Sequence, residues 1–404
     1  MRLAIRVASL AFPAAFATFA VVGSSACNSL LGTEAAEPLD AAADVLPKPT
    51  ADADAASDAG STCPSGDLST NSEHCGRCGH TCLGGACAGG VCQPVVLATD
   101  LQNAGDVLRF GNYVYLTQAG TSDKSLADGQ VTRIQLDGCA KDCASTYASL
   151  PAAVSLAANK DALYALAQLP NNGSVKRALF TDGVMTTFSA NQARPRRILV
   201  DSTAVYWVNQ GLQEKSGTIY RAFADEATGG LPIVSGLNYP SGIAINGTTL
   251  YFTEGGLIDF DGAVYKSDVT GQNKVLVASS QAQPRAIVTD STYVYWVNMG
   301  NGTVHRKLTS GSAKDDVVMS GENQPVAIAL DADHIYVTCV GTLPDQLDGR
   351  LRAADRDGKN AVTLASNLKA AIGIAMDDVS VFVLERGTLD KGRRDGRLLR
   401  VAKP

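Results

Sequence analysis

At 404 residues the chain is too long for one ordinary compact core, so several domains or one repetitive architecture must account for it. The composition is 45% hydrophobic and only 18% charged, with 39 glycines, which favours many short strands joined by tight turns over long charged helices. The formal net charge of −6, without a stripe of clustered Lys and Arg, excludes nucleic acid as a partner.

Residues 1–27 have the pattern of an export signal. Arg2 and Arg6 precede an apolar run over residues 7–22, which is short for a membrane span and contains a proline. Small residues then lead to Cys27, and this ending resembles the lipobox of bacterial lipoproteins, where the cysteine is lipidated and becomes the new N-terminus. The resemblance implies an exported lipoprotein of the outer membrane or cell surface, held at the membrane only by its lipid. Cleavage without lipidation would give a secreted or periplasmic protein, and an uncleaved anchor is the third alternative.

The segment 28–62 is predicted to be a disordered acidic linker. It consists largely of Ala, Asp, Glu and Pro, with Lys48 as its only basic residue and no periodic apolar face. Such a composition cannot bury enough apolar surface to offset the entropy of ordering. We therefore expect a flexible tether that holds the folded part away from a membrane.

The segment 63–92 is a small cysteine-rich cassette with many glycines and almost no large apolar side chains. Its six cysteines are Cys63, Cys75, Cys78, Cys82, Cys87 and Cys92. Export favours three disulfides, whose pairing the spacing leaves open, over zinc bound with the help of His74 and His80. The run from Cys75 to Cys82 resembles the cassette of stigma-specific-protein-like domains, which implies a small extracellular module. Cys139 and Cys143 are expected to pair locally, whereas Cys339 is expected to be a buried apolar residue.

From about residue 94 to residue 404, one pattern repeats seven times. Each repeat has an apolar strand, a polar turn, a strand centred on an aromatic residue, a variable loop, and a glycine that starts the next strand. The aromatic residues are Tyr115, Tyr164, Tyr206, Tyr251, Tyr295, Tyr336 and Phe382. Spacings of 41 to 49 residues are those of one four-stranded propeller blade. The sequence therefore predicts an all-β, seven-bladed β-propeller over residues 94–404.

Two of these repeats contain the motif Tyr-Trp-Val-Asn, ending at Asn209 and Asn298. With the prolines that open four of the repeats, this motif resembles the YWTD repeats of lipoprotein-receptor propellers, and more loosely NHL and gluconolactonase-like propellers. The resemblance implies the blade fold, with Val-Asn here in place of the family's Thr-Asp.

The last repeat ends after its third strand, so its fourth strand must come from elsewhere. Residues 95–101 read like the fourth strands of other repeats. We therefore predict that this N-terminal strand closes the seventh blade beside residues 396–402. Closure would leave no open sheet edge.

Candidate ligand-binding residues lie in the loops between second and third strands and at the starts of blades. Glu254, Asp259 and Asp261 cluster in one loop as a possible Ca²⁺ site. Arg196 and Arg285 follow prolines and are expected near the channel mouth, where they would either bind an anion or pair with nearby acids. No cofactor is predicted beyond this possible calcium.

The sequence shows no catalytic motif. The propeller has only two histidines, His305 and His334, which leaves little for acid–base catalysis. Trp207 and Trp296 lie within apolar runs and are expected to pack between blades rather than to stack on sugars. We therefore expect a monomeric, non-enzymatic cell-surface protein that binds or scaffolds a protein or glycan. The alternative is a metal-dependent lactonase or lyase of the propeller type.

Overall fold

The computed structural model describes residues 67–136, 143–169, 172–225, 229–256, 260–311 and 314–404. The predicted export signal, the acidic linker and Cys63 lie outside these ranges, as do Cys139 and Asp259. None of the helical segments in the described ranges has the length and hydropathy needed to cross a membrane.

The described residues form seven four-stranded antiparallel sheets arranged as the blades of a propeller. The fold is thus all-β, as predicted. A two-stranded hairpin, Cys87–Ala88 with Val91–Cys92, lies in the cassette, and one 3₁₀ helix spans Ser122–Lys124.

Each blade runs from an innermost strand at the channel to an outermost strand at the rim. From blade 1 to blade 7, the innermost strands are Ala104–Phe110, Ala153–Ala158, Pro195–Val200, Pro240–Asn246, Pro284–Thr289, Pro325–Leu330 and Ala371–Met376. The second strands, in the same order, are Tyr113–Gln118, Ala162–Ala167, Ala204–Asn209, Thr249–Glu254, Tyr293–Asn298, His334–Cys339 and Ser380–Glu385. The third strands are Gln130–Gln135, Gly173–Leu179, Gly217–Phe223, Gly262–Asp268, Thr303–Leu308, Gly349–Asp355 and Gly396–Ala402. The outermost strands are Ala144–Ser149, Met185–Gln192, Leu231–Leu237, Val275–Gln281, Asp316–Met319, Val362–Leu368 and, for blade 7, Val95–Leu101.

The two inner strands of each blade carry most of the core. They are buried on both faces because each blade packs against the blades on either side. All seven central aromatic residues lie in second strands, and each is no more than 3% exposed. This confirms that the repeated aromatic residue marks one blade.

The ring closes with the N-terminal strand, as predicted. Val95–Leu101 pairs antiparallel with the third strand of blade 7, with Val95 opposite Arg400 and Leu101 opposite Gly396. Blade 7 thus combines three C-terminal strands with one strand from the start of the propeller. The two ends of the ring are held together by main-chain hydrogen bonds.

The cassette is stapled by disulfides. Cys75 is bonded to Cys87 and Cys82 to Cys92, and these four cysteines form a buried cluster that includes Ala402 of blade 7. Cys78 and Cys143 are disulfide-bonded as well. The free cysteine of the described residues is Cys339, which is buried as expected.

The cassette docks beside the seam where the ring closes. The Arg77 guanidinium donates to the carbonyl oxygen of Pro404 at 3.0 Å, and the His80 Nε2 lies 2.8 Å from that of Lys403. In return, the guanidinium of Arg400 donates to the carbonyl oxygen of Leu83. The cassette therefore holds the last residues of the chain at the closing strand.

Neighbouring blades are joined at two places by the same side-chain clamp. Gln281, at the end of the outer strand of blade 4, accepts hydrogen bonds through Oε1 from Trp296 Nε1 and Asn298 Nδ2 of blade 5, both at 2.8 Å. Gln192, Trp207 and Asn209 repeat this arrangement between blades 2 and 3. Both tryptophans are fully buried, which confirms that they pack between blades.

We expect Gln281→Leu to destabilise the propeller by about 2–4 kcal/mol, because two buried donors would lose their acceptor. The free energy of unfolding from a denaturant titration checks this. Gln272→Leu, at an exposed site in the same blade, is the control and should change it by less than about 0.5 kcal/mol. Equal effects of the two substitutions would show that the clamp is not stabilising.

Candidate functional site at the channel mouth

The loops between second and third strands share one face of the ring with the connections between blades. In every blade, the residue after the second strand donates its backbone N–H to the carbonyl of the residue before the innermost strand, at 2.9 to 3.2 Å. We call this face the mouth face. It carries the longest loops and surrounds one end of the channel lined by the innermost strands.

Each blade begins on the mouth face with a residue in the left-handed backbone region. These residues are Asn103, Ala152, Arg194, Tyr239, Gln283, Gln324 and Ala370, with φ between +48° and +56°. None is a glycine, although glycine is the residue that adopts this conformation at least cost. The ring thus imposes the same strained turn seven times, and the hydrogen bond to its carbonyl holds each turn in place.

A buried polar network joins the innermost strands of blades 1 to 3. The carboxylate of Asp106 accepts hydrogen bonds from Ser155 Oγ at 2.9 Å and from the backbone N–H groups of Val107 and Leu156 at 3.0 Å. Arg197 Nη1 lies 3.0 Å from Asp106 Oδ2, and both side chains are at most 3% exposed. These groups satisfy one another and tie three blades together.

The equivalent position, third in the innermost strand, is small in the other four blades. The residues there are Gly242, Ala286, Ala327 and Gly373. The buried ion pair of Asp106 and Arg197 therefore has no counterpart at this position in those four blades.

We expect Asp106→Leu to cost about 3–5 kcal/mol, because it removes the carboxylate partner of a buried guanidinium. The double variant Asp106→Leu/Arg197→Met should recover most of this loss. A double-mutant cycle of unfolding free energies measures the coupling. Additive effects would contradict the assignment of this pair as a buried ion pair.

Three neighbouring loops of the mouth face, in blades 6, 7 and 1, are built alike. Each begins with a positive-φ glycine and a threonine and ends with an aspartate whose carboxylate accepts from that threonine's N–H and Oγ1. The threonine–aspartate pairs are Thr342 with Asp348, Thr388 with Asp395, and Thr121 with Asp128. We call residues 341–348, 387–395 and 120–128 together the three-loop platform.

The platform loops are also joined to one another. Arg393 Nη2 donates to Gln346 Oε1 at 2.8 Å, which links the loops of blades 7 and 6. Arg394 Nη2 lies 2.5 Å from Asp123 Oδ1 and lowers the pKa of that carboxyl to about 2, which links blades 7 and 1. The hydrogen bonds from Thr342 lower the pKa of Asp348 as well. The platform is thus a connected surface rather than three independent loops.

Two arginines lie where the platform meets the channel. Arg386 is 6% exposed, and its Nε donates to the carbonyl of Ala104 in the next blade at 3.3 Å. Gln168 makes the equivalent contact to Pro195 from blade 2. Burial, and then the nearby charge of Arg386, lowers the pKa of Arg393 to about 10. The positive charge of Arg386 thus disfavours that of Arg393.

The predicted mouth residues Arg196 and Arg285 both lie at the second position of an innermost strand. Arg196 is buried, and burial lowers the pKa of Arg285. Within the described ranges, the Arg285 side chain makes no ion pair, and its buried Nε has no hydrogen-bond partner. Nearby, Gly255 stands where Gln168 and Arg386 stand in other blades, so residue 255 contributes no side chain at this position.

The predicted calcium loop is only partly described, because Asp259 lies outside the described residues. Glu254 is buried and engaged: its Oε1 lies 3.0 Å from Lys274 Nζ, and its Oε2 accepts from the backbone N–H of Asn238. Asp261 is exposed at the end of the loop, beside Gly256. Both oxygens of the Glu254 carboxylate thus have partners within the protein, one in Lys274 and the other in Asn238.

Across the described residues, the only group of side chains spaced to hold a metal ion is Cys75, Cys82 and Cys92. All three are in disulfides, so their sulfur atoms are not available as thiolates.

Two clefts accompany the loops. One, of about 380 Å³, lies on the platform. Its lining combines two leucines, two lysines and three aspartates: Leu347, Leu389, Lys369, Lys391, Asp345, Asp390 and Asp395. The other, of about 510 Å³, lies at the turns between first and second strands of blades 5 and 6, on the opposite face. An ion pair of Arg356 with Asp290 spans this second cleft, so its principal charges neutralise each other.

The two propeller histidines are held in structural contacts. His305 stacks on Trp296, with its Nδ1 2.7 Å from Asp315 Oδ2 and its Nε2 3.0 Å from Thr303 Oγ1. His334 lies at a turn, with Nδ1 3.6 Å from Asp331 Oδ1. His305 is on a third strand and His334 at a turn of the opposite face.

No family model matches this chain, and no curated protein matches it. Solved structures do resemble it. Selenomethionine-substituted virginiamycin B lyase from Staphylococcus aureus is 16% identical, with a TM-score of 0.59 over 77% of this chain and 99% of that one. A streptogramin B lyase structure is 15% identical, with a TM-score of 0.57 over 76% and 97%. A nidogen/laminin complex structure is 20% identical over 63% and 92%, with a TM-score of 0.48. At these identities, the two lyase structures show the propeller fold alone.

Sequence reasoning placed Arg196 and Arg285 near the mouth but missed Arg386, Arg393 and the platform. The platform did leave a signal, since each of its loops opens with Gly-Thr and closes with Asp-Gly. The positions of Arg386 and Arg393 left none, because their partners Ala104, Gly387 and Gln346 are set by the folded ring.

Proposed function

We propose that this protein is an exported, lipid-anchored binding protein that captures an anionic ligand at the mouth of its propeller. The observation that carries this is Arg285, a partly buried guanidinium with no carboxylate partner among the described residues. A charge that is partly withdrawn from water without a counter-charge is costly, and an anionic ligand would supply the missing partner.

The charge on the rest of the mouth supports the same function. Arg393 also makes no ion pair with described residues, and it stands close to Arg386. The platform carboxylates Asp128, Asp348 and Asp395 are already engaged by their threonines. Arg285 and Arg393 are therefore two cations of the mouth face without an ion pair to any described residue, on a face that also carries the acids Asp345 and Asp390.

The alternative, a metal-dependent lactonase or lyase, needs several side-chain ligands that converge at the mouth. Glu254 and the three loop-closing aspartates, Asp128, Asp348 and Asp395, are committed to hydrogen bonds and ion pairs instead. Likeness to lyase propellers at 15–16% identity shows the fold alone. Binding by a monomeric propeller is the function that this geometry favours.

The location rests on the sequence of the first 62 residues. An apolar run followed by Cys27 resembles a lipobox, and the acidic linker would hold the propeller away from the membrane with its mouth accessible. The disulfides of the cassette agree with an oxidising compartment.

We expect inorganic phosphate to raise the melting temperature by about 2–4 °C at ten times its dissociation constant, since binding then adds about 1.4 kcal/mol. Arg285→Gln should abolish this shift. Arg109→Gln is the matched control, because Arg109 lies in an innermost strand outside the mouth and also makes no ion pair with described residues. A parallel melting experiment with potassium chloride at equal ionic strength distinguishes phosphate binding from the general effect of salt on stability.

The absence of a phosphate-specific shift in the unaltered protein would contradict the proposal. A shift that survives in Arg285→Gln, or that is lost equally in Arg109→Gln, would place the anion elsewhere.

Cys27→Ser is expected to move the protein from the membrane fraction to the soluble fraction of lysed cells. The reason is that the thiol is the only attachment point for the predicted lipid. Immunoblotting of the two fractions measures the result, with Cys339→Ser as the control for loss of a cysteine. Continued membrane association of Cys27→Ser would rule out the lipid anchor.

A further inference from the structure

We infer that a proton on His80 controls the contact between the cassette and the ring, so that docking of the cassette is firmest in acid and weakens as the pH rises. The inference goes beyond the proposed function and does not depend on the anion site. It rests on the chemical nature of the two groups that the His80 ring contacts, one in the cassette and one at the end of the propeller.

Both ring nitrogens of His80 lie against main-chain carbonyl oxygens. Its Nδ1 is 2.7 Å from the oxygen of Cys75, and its Nε2 is 2.8 Å from the oxygen of Lys403. A carbonyl oxygen accepts hydrogen bonds and cannot donate them, whereas a neutral imidazole has a single N–H group. Only the protonated ring, the imidazolium, can therefore make both contacts as hydrogen bonds.

A neutral His80 would have to give up one of the two contacts. Its unprotonated nitrogen would direct a lone pair at a carbonyl oxygen, which is repulsive at these distances. If Nε2 is the unprotonated nitrogen, the bond to Lys403 of the ring is lost. If it is Nδ1, the bond to Cys75 is lost, and this bond closes the same turn as the 2.9 Å bond from the Cys75 N–H to the His80 carbonyl. Either loss weakens the docked arrangement.

His74, in the same cassette, has the opposite requirement. Its Nδ1 accepts a hydrogen bond from the backbone N–H of Gly79 at 2.9 Å. A ring nitrogen that accepts cannot carry a proton, so this contact needs a neutral ring. The two histidines of the cassette should therefore respond to pH in opposite directions, and His74 is the matched control for His80.

The charged groups around this joint do not account for a proton on His80. Carboxylates pair with His305 and His334 but, among the described residues, not with His80, and Glu73 of the cassette is exposed. Three cations at the joint bond to other groups: Arg77 to the Pro404 carbonyl, Arg400 to the Leu83 carbonyl, and Lys403 Nζ to Asp331 Oδ2. The two carbonyl oxygens thus favour the proton, and the neighbouring cations oppose it.

The proton acts at the seam of the ring. Lys403 directly follows the third strand of blade 7, Gly396–Ala402, and that strand pairs with Val95–Leu101. The cassette leads into Val95–Leu101 from the other side. A protonated His80 therefore fixes the cassette to the chain that flanks both strands of the seam.

The first test is ¹⁵N NMR of the full chain labelled at histidine, with its four histidines assigned by single substitution. We expect His80 to lose its second proton at a higher pH than His74, because docking favours the charged form of one ring and the neutral form of the other. Loss of the proton from His80 at the same pH as from His74, or at a lower pH, would overturn the inference.

The second test is hydrogen exchange of the Lys403 amide, which donates to the Val379 carbonyl at 3.0 Å and reports on the end of the chain. After correction for the intrinsic effect of pH, its protection should fall about tenfold or more between about pH 5.5 and about pH 8.5, because the bond lost is one to a charged group. Amides of Val275–Gln281 serve as the reference within the ring and should show no such change.

Two variants assign the effect to His80. His80→Gln should remove the pH dependence at Lys403, because glutamine is neutral throughout this range, whereas His74→Gln should retain it. An unchanged pH dependence in His80→Gln, or protection at Lys403 that does not vary with pH in the unaltered protein, would refute the inference. If His80→Gln fails to fold, the NMR titration and the exchange of the unaltered protein still decide the question.

Discussion

The main-chain pairing of Val95–Leu101 with Gly396–Ala402 is the interaction on which the rest of the structure depends. Six blades are continuous in the chain, but the seventh is complete only when the N-terminal strand joins it. An unclosed ring would expose a strand edge and leave blade 7 one strand short. The cassette precedes this strand directly, and it adds the contacts of Arg77 and His80 to the last two residues of the chain.

Closure also determines what the mouth face can do. The platform extends over blades 6, 7 and 1, so it crosses the seam, and the contact of Arg394 with Asp123 joins one end of the ring to the other. Arg386 likewise reaches from blade 7 to the carbonyl of Ala104 in blade 1. The three-loop platform and its cleft therefore depend on the closed ring.

The fold could be predicted further than the site. The spacing of the aromatic residues predicted the number of blades, and the fourth-strand pattern near residue 95 predicted closure of the ring. Both patterns recur because every blade packs in the same way against its two neighbours. The side-chain clamp of Gln281 with Trp296 and Asn298 could not be predicted, since it joins positions in different blades. The seven left-handed turns could not be predicted for another reason. None of them contains a glycine at the left-handed position, and ring geometry overrides the local preference of residues such as Tyr239. Arg285 could be placed near the mouth, but whether it had an acidic partner depended on the whole ring.

Native-state hydrogen exchange of the Val95–Leu101 amides tests the role of closure most directly, with the outer strand Val275–Gln281 as the internal reference. If closure holds the ring together, the hydrogen-bonded amides of both strands will exchange with the same free energy of opening, equal to that of global unfolding. Exchange of the closing strand through a separate opening of lower free energy, with the other blades still protected, would contradict this. Such a result would show that the ring persists without its borrowed strand.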